Sequence, residues 1–160
     1  MAVQKTNVMR VLEQKKIAYV PHEYPHGDEA VDGLTVARIT GLDPERVFKT
    51  LVTRGASRKI YVFVIPVTAE LELRKAAKAV GEKSVEMIRV SEINALTGYV
   101  RGGCSPVGMK KTYPTMFHES AASLPAIAVS AGKIGYQVEL APADLIKLTN
   151  GRCADIITEE

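Results

Sequence analysis

The 160-residue sequence predicts one α+β domain built on a mixed, mostly antiparallel sheet. Helical and strand-like segments follow each other without the strict alternation of a parallel βαβ sheet. The clearest strand pair is a hairpin: residues 48–53 and 59–66 are rich in β-branched and aromatic side chains, and only Arg54-Gly55-Ala56-Ser57-Arg58 separates them. No linker, repeat or low-complexity run divides the chain, so residues 1–160 read as a single domain, long enough to bury about two-thirds of its unfolded surface without disulfides or metal.

From the start of the chain, residues 6–16 place Val8, Val11 and Leu12 at helical spacing among polar residues, with Thr6 or Asn7 as the cap. Ile17, Tyr19 and the stretch through Tyr24 read as extended, because Pro21 and Pro25 preclude a regular helix. A second helix is expected over 34–40, ended by Gly41. After the hairpin, residues 73–80 carry Arg74, Lys75 and Lys78 among alanines and form a helix ending at Gly81; residues 91–96 form another. GYVRGGCSPVG, residues 98–108, is too glycine-rich for a regular element and reads as a shaped loop leading into Lys110-Lys111. Strands follow over 115–118, 126–130 and 137–140, with Gly132 and Gly135 turning between the last two. Pro142 opens a final helix through Leu148, and Asn150-Gly151 ends it.

Hydrophobic residues make up 46% and charged residues 24%, which excludes a disordered or fibrous chain. Trp is absent and aromatics are 6%, so the base-stacking platforms of single-strand binding modules are poorly supplied. A net charge of +3 helps attract a polyanion, yet is also that of a generic soluble surface. Cys104 and Cys153 lie in no CxxC spacing, the opening MAVQKTNVMRVLEQKK lacks an apolar signal core, and the apolar stretch around residues 60–67 is too short to span a bilayer. A reducing cytoplasm and no membrane are the expectations.

His22-Glu23-Tyr24-Pro25-His26 matches HExxH, the pattern of zinc proteases. That chemistry needs both histidines on one face of a continuous helix, and Pro25 inside the motif with Pro21 before it breaks such a helix. A strand end followed by a turn is expected instead, and no metal site is assigned.

In Gly102-Gly103-Cys104-Ser105-Pro106 two glycines free the backbone to turn or to approach a ligand, and Pro106 stiffens the exit. Backbone N–H groups there could stabilise the oxyanion of an attacked ester, hold a phosphate, or simply make a tight connection. Cys104 has Arg101 and Lys110 near in sequence but no histidine, so it is assigned no nucleophilic role.

VFKTLV (47–52), TGYVRGGCSPVGMKK (97–111) and VSAGKIG (129–135) occur in order, with HEY and GDEAVDGL before them and VELAPADL after. In these segments, over nearly its whole length, the chain resembles the YbaK/EbsC-type proteins, whose fold is shared by the editing domain inserted in bacterial prolyl-tRNA synthetases. The resemblance implies a barrel-like sheet surrounded by helices, and the activity of an aminoacyl-tRNA deacylase that clears mischarged Cys-tRNA(Pro) in trans. A synthetic pocket shaped for proline cannot strongly reject a smaller amino acid by binding alone, so a second, hydrolytic site supplies the missing selectivity.

The resemblance also implies site residues. Lys49 matches the lysine of the FKT segment, contacting phosphate or sugar at the acceptor end of the tRNA; on residues alone it reads as a snorkelling surface lysine. Thr50 matches a pocket position, although a strand turns it to the face opposite Lys49. Gly102 matches the first glycine of the GxxxP loop, with Gly103, Ser105 and Pro106 following it. Tyr24 and Ser130 match further pocket positions, and read equally as a core tyrosine and a turn former. Relatives nearest the cysteine-specific enzymes carry an acid after GL, where this chain has Gly135-Tyr136-Gln137, and Cys104 stands where an aliphatic residue is frequent.

The implied mechanism is substrate-assisted. The thiol of the attached cysteine attacks its own ester and leaves as a cyclic thiolactone, so neither a protein nucleophile nor a cofactor is needed. Three readings follow: a Cys-tRNA(Pro) deacylase; a deacylase for Ala-tRNA(Pro) or another small residue, using water; and a noncatalytic module binding tRNA or a synthetase. The partner is mischarged tRNA(Pro), with prolyl-tRNA synthetase joining in a ternary complex.

Overall fold

The computed structural model describes residues 5–27 and 29–158. Residues 1–4, Asp28 of the GDEAVDGL segment, and residues 159–160, all within the expected 1–160 domain, lie outside the described residues.

The opening helix α1 spans Asn7–Gln14; Thr6 is its cap, its side-chain oxygen accepting from the Met9 N–H at 3.3 Å. Strand β1, Val20–Glu23, follows, then helix α2, Gly33–Thr40, closed by left-handed Gly41. The hairpin is present as β2, Phe48–Gly55, and β3, Ile60–Pro66. Helix α3, Leu73–Val80, leads to the short strand β4, Val85–Met87, and helix α4, Val90–Thr97, precedes the glycine loop. Strands β5, Thr115–His118, β6, Ile127–Ser130, and β7, Tyr136–Leu140, are followed by helix α5, Pro142–Leu148, and strand β8, Arg152–Ala154.

The strands form two sheets. One is antiparallel and three-stranded, in the order β1-β7-β6; the other is mixed and five-stranded, in the order β4-β2-β3-β5-β8. The barrel-like closure implied by the resemblance is incomplete. The sheets meet where Val47 and Ala128 form an isolated parallel bridge, while β1, β4 and β8 remain at sheet edges.

The sequence expectation missed β4 and β8. Each is three residues long and is held by partners distant in sequence: Thr53 opposite Met87, and Phe117 opposite Cys153. Neither has enough length for alternation to register.

Strand β3 explains the longest apolar run of the chain. Val62 and Val64 face the main core, with Val8, Met9 and Leu12 of α1 and Val129 and Val138 of the smaller sheet. Tyr61, Phe63 and Ile65 face a second core with Ala76 and Ala77 of α3. A strand covered on both faces reads as continuously hydrophobic. Each fully buried Val, Leu or Phe contributes about 1.5–3 kcal/mol of transfer free energy. A third cluster, Ala37, Val47, Val67 and Ala128, packs α2 over the seam between the sheets. Among the described residues no helix is long and apolar enough to cross a membrane.

Candidate active site

The glycine loop leaves α4 at Gly98 and is pressed between two other segments. Gly102 has φ +86, and a Cβ there would lie 2.7 Å from the Ala30 Cβ and 2.9 Å from its Cα. A side chain is excluded both by conformation and by space. Next door, the Gly103 N–H donates to the Val100 carbonyl at 3.0 Å, and Gly103 lies directly against the Lys133–Ile134 backbone. Two of the motifs that carry the family resemblance, GGCSP and VSAGK, are therefore in contact. Among the described residues the N–H groups of Gly102 and Cys104 have no protein acceptor.

Ser105 and Pro106 are buried, and the Ser105 hydroxyl accepts from the Val107 N–H at 3.2 Å. The Tyr99 hydroxyl donates to the Val107 carbonyl, and burial pushes its phenol up to about 12, which keeps it a donor. These side chains shape the loop from inside.

Across the smaller sheet runs a row of polar residues. Ser130 of β6 stands opposite Gln137 of β7, and Gln137 stands opposite His22 of β1. Directly paired residues share a sheet face, so all three side chains leave the same side. Ser130 and Gln137 are only 8% and 7% exposed. The Ser130 hydroxyl accepts from the Gly132 N–H at 3.1 Å, whereas the Gln137 amide oxygen is buried with no partner among the described residues.

Lys49 joins this face from the other sheet. The Val47–Ala128 bridge sets β2 beside β6, and alternation puts Lys49 on the side of Val47 and Ser130 on the side of Ala128. Thr50 points the other way. It pairs with Val64 of the main core, and its hydroxyl oxygen is buried without a partner among the described residues. The opposition of Lys49 and Thr50 expected from alternation is what the strand shows.

Tyr24 follows β1 and is 2% exposed; its N–H donates to the Gly135 carbonyl at 2.9 Å. Its ring centroid is 6.4 Å from that of His26, which in turn lies 5.9 Å from that of Tyr136. The His26 ring fills the space that a Cβ on Gly135 would need, 1.9 Å from the ring, and Gly135 has φ +96. The late glycine turn thus accommodates the histidine of HEYPH. That motif forms the strand end expected of it, since His22 and Glu23 lie in β1, and residues 24–26 continue without a regular turn.

One pair escaped the sequence reading. The His22 Nε2 lies 2.8 Å from the Glu139 Oε1, joining residues 117 apart in the chain. The register sets Val20 opposite Glu139 and His22 opposite Gln137, so His22 and Glu139 are diagonal neighbours on the face of the polar row. Period-two spacing of Gln137 and Glu139 was the signal available, but it becomes informative only once β1 is known to pair with β7.

Burial pushes the Cys104 thiol up to about 11, with a hydrogen bond to Thr97 pulling the other way. At neutral pH it is protonated and a poor nucleophile. The arrangement offers backbone donors at the loop, the Lys49 ammonium, and on the polar row Ser130, Gln137 and the His22–Glu139 pair: equipment for orienting and polarising an ester.

Residues 29–148 match the model of the aminoacyl-tRNA editing domain. A protein of Enterococcus faecalis assigned as the Cys-tRNA(Pro)/Cys-tRNA(Cys) deacylase EbsC is 49% identical over 157 residues, covering 98% of this chain and 96% of that one. A crystal structure described as that of a trans-editing enzyme for prolyl-tRNA synthetase shares the fold, with TM-score 0.82 at 24% identity over 98% of this chain and all of the other. A scaffold protein used for epitope backbone grafting superposes with TM-score 0.82 at 26% identity, covering 96% of each chain. The chain belongs to the aminoacyl-tRNA editing domain family.

Proposed function

We propose that this chain acts in trans as an editing domain over residues 1–160 and hydrolyses the ester of mischarged Cys-tRNA(Pro). The observation that carries the proposal is the Gly102–Gly103 loop seated on the Lys133–Ile134 turn, with the Gly102 and Cys104 N–H groups left without acceptors among the described residues. Support for the substrate comes from family membership and from the assignment of the 49% identical relative.

In this mechanism the free N–H groups of the loop receive the ester carbonyl oxygen as it becomes an oxyanion. The Lys49 ammonium binds phosphate or sugar at the acceptor end and fixes the ester against the loop. The cysteinyl sulfur forms a bond to the carbonyl carbon, the ester C–O bond breaks, and the thiol proton leaves on the released tRNA oxygen. Water then opens the thiolactone. Tyr24, Ser130 and Gln137 line the side-chain pocket, while Ser105 and Pro106 hold the loop's shape. Work in the cytoplasm beside prolyl-tRNA synthetase, within a ternary complex, fits this role.

A neutral amide at Gln137, with its oxygen unpartnered, favours a second reading within the same reaction class, in which Ala-tRNA(Pro) or another small-residue ester is attacked by water. Comparing Cys-, Ala- and Ser-tRNA(Pro) as substrates of the purified protein separates these readings. The expected outcome is release of cysteine well above the buffer rate. Binding of tRNA with no cleavage of any of the three contradicts the enzyme assignment.

A further inference from the structure

Three cavities adjoin one another around Asn150, a residue with φ +55 at the end of α5. The first, about 520 Å³, lies between β5 and the α5–β8 turn and is edged by Arg152. The second, about 210 Å³, shares Thr112, Tyr113 and Thr149 with it and extends to Lys111 and to Pro106–Gly108, where the glycine loop ends. The third, about 610 Å³, continues past Gly151 to Lys147.

Their charge is one-sided. No Asp or Glu is among the described residues lining any of the three, although the chain has 18 acids against 21 Lys and Arg. Each cavity contributes one exposed cation, Arg152, Lys111 or Lys147, and none of the three has a hydrogen-bond or ion-pair partner among the described residues. The Thr112 hydroxyl and the Asn150 amide are likewise unengaged. A trough with unpaired cations and free neutral donors suits a phosphodiester strand. The third cavity is lined mainly by apolar residues, Leu124, Pro125, Pro142 and Ile146 among them, so the polar case rests on the first two cavities and on Lys147 at the rim of the third.

We propose that this trough binds the RNA strand of the tRNA outside its aminoacylated end. The identity of the RNA rests on the editing function proposed above. The position of the trough follows from its continuity with Pro106–Gly108, the exit of the loop whose Gly102 end faces the ester. A strand following the loop from Gly102 to its exit would meet Lys111, which lines the same cavity as Pro106–Gly108.

The test uses uncharged tRNA as the probe, so that it does not depend on ester hydrolysis. Kd is measured as a function of salt for the wild type, for Lys111→Ala/Lys147→Ala/Arg152→Ala, and for a control that removes equal charge at the hairpin end, Arg58→Ala/Lys59→Ala/Lys83→Ala. Each lost phosphate contact reduces the slope of log Kd against log salt by about 0.7–0.9. The trough variant is expected to bind at least about tenfold more weakly at low salt and to lose about two units of slope, with the control near wild type. Wild-type affinity and slope in a trough variant with normal melting overturns the proposal, as does an equal loss in the control. Unchanged tRNA affinity with lost binding of purified prolyl-tRNA synthetase assigns the trough to a protein and overturns it too.

Discussion

Ser130 and Gln137 face each other across the β6–β7 ladder, both nearly closed to solvent, and the amide oxygen of Gln137 has no donor among the described residues. An unsatisfied buried acceptor costs stability, and on the ester-binding face proposed above a donor from the substrate would satisfy it. Replacing Gln137 with Leu is expected to leave stability within about 1 kcal/mol of wild type, because the orphan oxygen goes with the side chain. The kcat/KM on Cys-tRNA(Pro) falls by about tenfold or more, because the substrate's donor loses its partner. Gln137→Asp, which installs the acid common near the cysteine-specific relatives, changes kcat/KM by less than about tenfold if that acid only tunes the pocket. Urea unfolding and single-turnover deacylation, run on the same preparations, check both parts.

Backbone and thiol contributions of the loop separate by substitution. Gly102→Ala places a methyl within 2.7 Å of Ala30 at φ +86, so a loss of about 1–3 kcal/mol in stability and of most deacylation is expected. Cys104→Ala removes a protonated thiol whose loss leaves only a small packing defect, and its turnover stays within about twofold of wild type. Abolished turnover in a folded Cys104→Ala protein would instead make the thiol the nucleophile.

Stability is expected to depend on pH through His118 of β5. Its buried Nδ1 accepts from the Ile156 N–H at 3.4 Å, which requires that nitrogen to be unprotonated. Burial holds the ring's pKa below the ordinary histidine value; the Asp155 and Glu119 carboxylates pull it up, and Lys75 pushes it down. A depressed folded-state pKa means that the unfolded chain takes up a proton first as pH falls. The contribution is complete above about 6.5, the unfolded value, and is lost as pH drops from there through the folded-state pKa. The urea midpoint is expected to fall between pH 7.5 and 5, and to fall less in His118→Asn, which keeps an acceptor near Ile156 but does not titrate. An equal fall in both proteins removes His118 from the account.

The local features of this fold were legible in the sequence, and the pairings that assemble the site were not. The hairpin of β2 and β3 stands out because its aromatic and β-branched residues are separated by a five-residue turn, and the caps at Thr6, Gly41 and Gly81 are short-range chemistry. Opposition of Lys49 and Thr50 needs only the period of a strand. By contrast, the Ser130–Gln137–His22 row depends on β1 joining β7 across more than a hundred residues, and no local pattern encodes that choice. The motifs GGCSP and VSAGK could be recognised separately, while their contact through Gly103 and Lys133 is a product of tertiary packing. The family resemblance supplied the association that the spacing alone could not.

In the proposed mechanism, backbone donors of the glycine loop promote attack by the substrate's own thiol. Parallel time courses with Cys-tRNA(Pro) and Ser-tRNA(Pro) test it most directly, since the two esters differ in sulfur against oxygen at the attacking atom. Rapid release from Cys-tRNA(Pro) is expected, with cysteine thiolactone as the first product, and release from Ser-tRNA(Pro) slower by about tenfold or more. Equal rates on the two esters, with no thiolactone formed, would contradict it.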